Sequence, residues 1–292
     1  MKEIIAKLKK IEIRIRKTIE SRTHGKFNSI FKGSGIEFSD IRDYQYGDDV
    51  RNIDWKVTAK GHGTYIRTYQ EEKEQDVIII ADISSSHDLG VGHKVKYDIL
   101  KELAGIITLS AVEQRSNIGI IAFSDQKEMF IKPDRGIKHG YYLLHKFFHL
   151  IRSSSLTDID AMFRYALSVI QRKSVVIILS DFKGTWSENL LSPLAQKHDL
   201  VVIQVSDPTE IRIPKMGIIP LIDKESNKTI WINSSSKKYR DHLQEKFLTN
   251  SKQIEKVCKK YQSRYVLITN GEDYFPKLVE LFTPRETSYA RL

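Results

Sequence analysis

The feature that most constrains the fold is a set of short, unbroken apolar runs, two of which end on an acid. Val77-Ile78-Ile79-Ile80-Ala81 leads into Asp82, and Val175-Val176-Ile177-Ile178-Leu179-Ser180 leads into Asp181. Leu200 to Val205 is a third run of this kind. Each is too short for a buried helix and rich in β-branched residues, so each reads as a strand covered on both faces. Between them lie helical patterns. Residues 94–115 place Ile99, Leu103, Ile106, Ile107 and Leu109 on one apolar side, and 139–150, 158–171 and 187–197 follow. Ile118–Phe123, Glu128–Ile131 and Tyr265–Ile268 read as further strands, 237–260 as a long basic helix and Phe275–Phe282 as a closing helix. Strands alternating with helices of ten or more residues predict an α/β fold with a doubly wound, mainly parallel sheet.

The flanks read differently. Residues 4–19 carry Ile4, Leu8, Ile11 and Ile15 on one helical stripe, with lysines and arginines elsewhere. Such a helix docks on the body by its stripe, or lies on a membrane surface or partner; the stripe has no aromatic residue, which favours the first. Residues 20–63 are punctuated by glycine, and 64–69 are strand-like. Ile218–Ile222 and Thr229–Ile232 flank a polar hexapeptide, a hairpin pattern. The expected organisation is an N-terminal helix and small irregular/β segment over 1–76, an α/β domain over 77–285 with a hairpin insertion at about 216–233, and a tail over 286–292.

No apolar run approaches the roughly 18 residues that span a bilayer. The N-terminus has no signal-peptide core. Cys258 is the single cysteine, so no internal disulfide forms, and its helical surroundings read as those of a buried structural thiol. Together these predict a cytoplasmic protein. The formal charge of +10 suits nucleic acid, anionic lipid or an acidic protein and does not choose among them.

The chemistry lies in three separated fragments: Asp82-Ile83-Ser84-Ser85-Ser86, Leu156-Thr157-Asp158 and Ser180-Asp181-Phe182. Ligands of open α/β sheets bind outside the carboxyl ends of the strands, so the first and third should meet at one rim with the second nearby. In an extended loop, i, i+2, i+4 spacing turns Asp82, Ser84 and Ser86 to one side. Thr157 adds a hydroxyl and Asp181 a second carboxylate. These hard oxygen donors suit a divalent cation, Mg²⁺ first, with Mn²⁺ or Ca²⁺ as alternatives. Singly, each fragment reads first as structural, a helix cap or a turn, Asp158 included; the agreement of all three, in order and on the right elements, reverses that.

The order Asp-x-Ser-x-Ser, Thr, Asp is similar to the metal-ion-dependent adhesion site of von Willebrand factor A domains. Upstream, Gly33-Ser34-Gly35-Ile36-Glu37-Phe38 and Arg42 to Ala59, which contains Tyr44-Gln45-Tyr46-Gly47-Asp48-Asp49 and Asp54-Trp55-Lys56, resemble the signature of the domain of unknown function 58 family. The resemblance runs from about residue 22 to the C-terminus. It implies a von Willebrand factor A-like, Rossmann-like sheet and a binding role, often beside a MoxR-type AAA+ ATPase. It also implies Asp82, Ser84, Ser86, Thr157 and Asp181 as metal ligands. The chain departs from the pattern at Leu156 and Phe182, where adhesion-type domains usually carry glycine, and Phe182 would narrow the approach to the metal. Many members also have upstream transmembrane helices. The charged residues of 36–60 form either a self-satisfied network holding Trp55 against the sheet or a docking face.

His145 and His149 stand four apart on a helix without a third ligand, which favours packing or a surface role. No P-loop, nucleophile elbow or dinucleotide fingerprint is present. The expected function is therefore a non-enzymatic, metal-dependent protein-interaction module. It would be an adaptor or co-chaperone whose partner is a MoxR-type AAA+ ATPase or its client, with peripheral membrane contact left open. A basic nucleic-acid-binding protein and, less favoured, a metal-dependent hydrolase are the alternatives.

Overall fold

The computed structural model describes residues 37–61, 63–70, 76–88, 95–211, 213–222 and 229–282. The helix expected over 4–19, the glycines at 33 and 35 and the tail at 286–292 lie outside them. The described residues fall into two compact units, one within Lys32–Gln75 and one from Asp76 onward.

In the smaller unit, β1 (Glu37–Asp43) pairs antiparallel with β2 (Tyr65–Gln70). The intervening chain folds back on this pair through Tyr44 N–H to Thr64 O and Asp54 N–H to Tyr65 O, both 2.8 Å. A four-residue helix, α1 (Trp55–Thr58), starts at Asp54, whose carboxylate accepts from the Lys56 and Val57 amides. Asp49 caps the turn at Val50–Asn52 in the same way. Arg42 grips Asp48 through two bonds of 2.8 Å. Arg42, Asp48, Asp49 and Asp54 thus serve local turns, which is part of one of the two sequence expectations. Trp55 does not pack as expected: it is 68% exposed, and Tyr46 and Val50 are exposed with it.

The larger unit is built on a six-stranded sheet ordered β10-β7-β6-β3-β4-β5. Its strands are β3 (Asp76–Asp82), β4 (Asn117–Phe123), β5 (Lys127–Asp134), β6 (Val175–Ser180), β7 (Asp199–Ser206) and β10 (Arg264–Thr269). All neighbours run parallel except β5, which is antiparallel to β4. The three residues between β4 and β5 allow only a hairpin return, since a parallel partner needs a crossover of a dozen or more.

The apolar runs are buried on both faces because alternate side chains enter two different cores. Val77, Ile79, Ala81, Val175 and Ile177 pack under α2 (Lys96–Glu113), α3 (Ile137–Phe148) and α8 (Phe275–Phe282). Ile78, Ile80, Val176 and Ile178 pack under α4 (Ile159–Val169), α5 (Glu188–Lys197) and α7 (Lys237–Lys260). This is the mainly parallel, two-sided architecture expected. Gly119 is dictated by the β4–β5 edge, where an added Cβ would stand 2.8 Å from Pro133 N and 2.9 Å from Ile131 O.

A hairpin of β8 (Ile218–Ile222) and β9 (Thr229–Asn233) stands apart from the main sheet, with Trp231 exposed opposite Pro220. A short helix not foreseen, α6 (Pro208–Ile211), follows β7. Among the described residues no helix is long and apolar enough to cross a membrane.

Topology sets the position of the site. From β3 the chain moves outward to β4 and β5, whereas from β6 it moves the other way to β7 and β10. The carboxyl ends of the adjacent strands β3 and β6 therefore flank the switch point, where the diverging connections leave a crevice.

Candidate metal centre

Asp82 closes β3 at this crevice, level with the end of β6. Its Oδ2 accepts from Ser180 Oγ at 2.6 Å and its Oδ1 from the Ser84 amide at 3.0 Å. The Ile83 amide donates to Phe123 O, pinning the chain to β4 before it turns. The turn is not the extended loop expected from the spacing of Asp82, Ser84 and Ser86. Residues Ser85–Asp88 form a tight 3-10 turn, closed by the His87 amide on Ser84 O. An Asp side chain that captures the amide two residues on favours such a bend. The hydroxyls of Ser84 and Ser86 still meet, 3.0 Å apart.

The second fragment is tied to the first. The Ser85 amide and hydroxyl both donate to Ser155 O, at 3.1 and 2.7 Å. Thr157 lies two residues further on, half-buried. Asp158 caps α4 by accepting from the Ala161 amide at 2.7 Å, so it serves the helix start. Glu128 on β5 staples this loop through the Ser153 and Ser154 amides and the hydroxyls of Ser153 and Ser124. Burial opposes its charge, but those bonds outweigh burial and hold the carboxyl below its usual range. Arg152 forks onto Asp88 and reaches Ile83 O, closing the first loop from outside.

Asp181 follows β6 and is buried. Its Oδ2 accepts from Lys96 Nζ at 2.5 Å and its Oδ1 from the Lys183 amide at 3.1 Å. Lys96 is fully buried and also grips Glu210 on α6, which in turn pairs with Lys183 Nζ at 2.7 Å. Burial would raise the Asp181 pKa, yet His87, Lys96 and Lys183 more than offset it and hold the group ionised. Burial likewise opposes the Lys96 ammonium, but Asp181 and Glu210 raise its pKa overall.

Phe182 does not close over the crevice as expected. Its backbone takes a left-handed φ of 53°, the conformation for which glycine is the usual residue. That turn sends the ring into the core under α5 and α7, edge-on to Trp186 at 6.3 Å. Its backbone is fixed by Ser180 Oγ accepting from its amide and by Asn250 donating to its carbonyl. Leu156 is exposed.

His87 is the residue that sequence reasoning passed over. It is 0% exposed, and neither ring nitrogen has a hydrogen-bond partner among the described residues. Leaving a buried polar atom unpaired costs about 1–3 kcal/mol. His87 Nε2 stands 3.6 Å from Asp82 Oδ2 and 3.9 Å from Asp181 Oδ1. Asp82, His87 and Asp181 offer ligand atoms all within 4.8 Å of one another, a group that could hold a metal ion. A histidine directly after Asp-x-Ser-x-Ser was the available signal, but only its burial shows that it points inward. Lys96 and Glu210 were missed because each lies on an element whose relation to the rim is tertiary. The other histidine pair is on the surface: His145 and His149 are exposed, with ring centroids 4.4 Å apart.

Fold and site together define a doubly wound α/β protein whose switch point carries two buried carboxylates and an inward imidazole. Residues 40–253 match the family described as protein of unknown function DUF58, and the chain belongs to that family. It is 27% identical over 232 residues to the uncharacterized protein Rv1480 of Mycobacterium tuberculosis, covering 77% of this chain and 72% of that one. The uncharacterized protein Mb1516 of Mycobacterium bovis matches with the same identity and coverage. Among solved structures, a conserved hypothetical protein, BatB from Bacteroides thetaiotaomicron, superposes with a TM-score of 0.48 at 18% identity, covering 71% of this chain and 96% of that one.

Proposed function

We propose that this protein is a non-enzymatic, metal-dependent interaction module of von Willebrand factor A type, an adaptor or co-chaperone for a MoxR-type AAA+ ATPase in the cytoplasm. One observation carries the metal reading. Fragments far apart in sequence meet at the switch point: Ser180 Oγ donates to Asp82, Ser85 is tied to Ser155, and Asp82, His87 and Asp181 offer ligand atoms within 4.8 Å of one another, which supports a metal held there with Ser84, Ser86 and Thr157 as the further oxygen donors. The buried nitrogens of His87, without a hydrogen bond among the described residues and with Nε2 facing two carboxylates, fit a cation there. When bound, the ion supplies an electrophilic position that an acidic side chain of the partner completes.

The protein's own residues do the rest. Ser180 and the Ser84 amide orient Asp82, and Lys96 holds Asp181 ionised and in place. Both carboxylates are thus already engaged, which suits them to holding an ion rather than to taking a substrate proton. The exposed Tyr46, Val50 and Trp55 of the signature segment offer a separate apolar docking surface.

The test is a binding titration between the purified chain and a MoxR-type ATPase from the same source, with divalent cation or with chelator. Binding should require the cation and should fail with Asp82→Ala. Equal affinity in all three conditions would refute the metal-dependent role. No binding by the wild type in any condition would refute the partner.

A further inference from the structure

Resting on the metal reading above, we infer that His87 Nε2 is a direct ligand of the switch-point site, and that the site selects a borderline transition ion such as Zn²⁺ or Co²⁺ over Mg²⁺ and Ca²⁺. Three observations lead there. First, the separations of 3.6 and 3.9 Å from His87 Nε2 to Asp82 Oδ2 and Asp181 Oδ1 are too long for hydrogen bonds. They are ion-pair separations, and they lie a few tenths of an ångström beyond the ~3.4 Å between two ligands about 2.0–2.2 Å from one tetrahedral ion, so a small closure would let both acids and the imidazole share an ion.

Second, His87 makes no hydrogen bond among the described residues through either nitrogen. The ring is sealed from solvent, and Nε2 faces the two acids.

Third, an imidazole among the donors favours a borderline ion over a hard one. Lys96 holds Asp181 Oδ2 through its ammonium, so Oδ1, which also accepts the Lys183 amide, is the oxygen turned to His87 Nε2. An imidazole nitrogen beside two single carboxylate oxygens is the donor chemistry of zinc and cobalt, whereas magnesium and calcium take oxygen almost exclusively. The hydroxyls of Ser84 and Ser86 lie on the same turn as His87, which leaves oxygen donors at hand for a further ligand position.

The experiment is a calorimetric titration of the untagged, metal-stripped full chain with Zn²⁺, Co²⁺, Mn²⁺ and Mg²⁺ in turn, with Co²⁺ also followed by its visible absorption. A His149→Ala background removes the exposed imidazole pair. The wild type should bind Zn²⁺ and Co²⁺ at one site at least ~100-fold more tightly than Mg²⁺. His87→Ala should lose at least ~100-fold in Zn²⁺ affinity, more than a merely supporting residue commands, while Mg²⁺ affinity changes little. Pulsed electron paramagnetic resonance of the Cu²⁺-loaded protein should show one directly bound imidazole that is lost in His87→Asn, a smaller change that keeps the test open where His87→Ala fails to fold. Mg²⁺ bound as tightly as Zn²⁺, or no imidazole coupling, overturns the inference while leaving a Mg²⁺-dependent interaction module standing. Absence of binding by every ion overturns both.

Discussion

Lys96 Nζ lies 2.5 Å from Asp181 Oδ2, and both side chains are sealed from solvent. The lysine opens α2, behind the first loop, and reaches across to the end of β6 and to Glu210 on α6. It is a fixed cation inside a site otherwise rich in acids.

Lys96→Met should therefore destabilise the fold by about 3–5 kcal/mol, because two buried carboxylates lose their counter-charge. Part of that loss should return on adding a divalent cation, which replaces the ammonium charge. Urea denaturation with and without cation measures both. A variant within about 1 kcal/mol of wild type would mean the pair contributes little net energy.

At position 182 the usual order of small substitutions should invert. Removing the buried ring costs about 3–5 kcal/mol in Phe182→Ala. Phe182→Gly loses the same ring but relieves the left-handed backbone, worth roughly 1 kcal/mol. The glycine variant should thus melt above the alanine variant. The opposite order would show that the backbone at Phe182 relaxes out of its left-handed turn.

His198 ends α5, buried, with neither ring nitrogen partnered among the described residues. Burial first, and then Lys197, lowers its pKa from 6.5 to about 4. Between those values the unfolded chain binds the proton and the folded chain does not, so stability falls as pH drops from 6.5 towards 4. His198→Leu should flatten that part of the urea midpoint against pH. An unchanged slope would assign the acid sensitivity to other groups.

Cys258 is buried on α7 and its thiol pKa is pushed up to about 12, by burial and then by Glu255. The thiolate is the reactive form, so the native protein should react with a disulfide reagent only at its unfolding rate. Rapid stoichiometric labelling without denaturant would contradict the packing described.

Trp55 is exposed in the smaller unit, so Trp55→Ala should shift stability by no more than about 0.5 kcal/mol. If the signature segment is a docking face, the same variant should weaken ATPase binding at least ~10-fold, as loss of an aromatic anchor does. Unchanged affinity would remove that face from the interaction.

Much of the fold could be read from order alone. The runs ending at Asp82 and Asp181 announce parallel strands because a strand buried on both faces has no polar alternation to hide. The hairpin at 218–233 was equally legible, since a polar turn between β-branched runs is a local signal. The edge strand Glu37–Asp43 was not, because its acidic and basic residues read as loop until β2 pairs with it. The 3-10 turn at Ser85–Asp88 was hidden for a related reason: spacing suggests extension, and a side-chain bond from Asp82 decides otherwise.

What the sequence by itself determined is the alternation of strands and helices, and with it the carboxyl-end rim to which Asp82 and Asp181 are delivered. Both follow from hydrophobic period, a property of neighbours along the chain. Tertiary structure alone decided that His87 turns inward between those acids, that Lys96 and Glu210 close around Asp181, and that Phe182 leaves the crevice for the core. These depend on contacts between residues up to 114 positions apart, as in the Lys96–Glu210 pair, and on which atoms remain unpaired once the chain has closed.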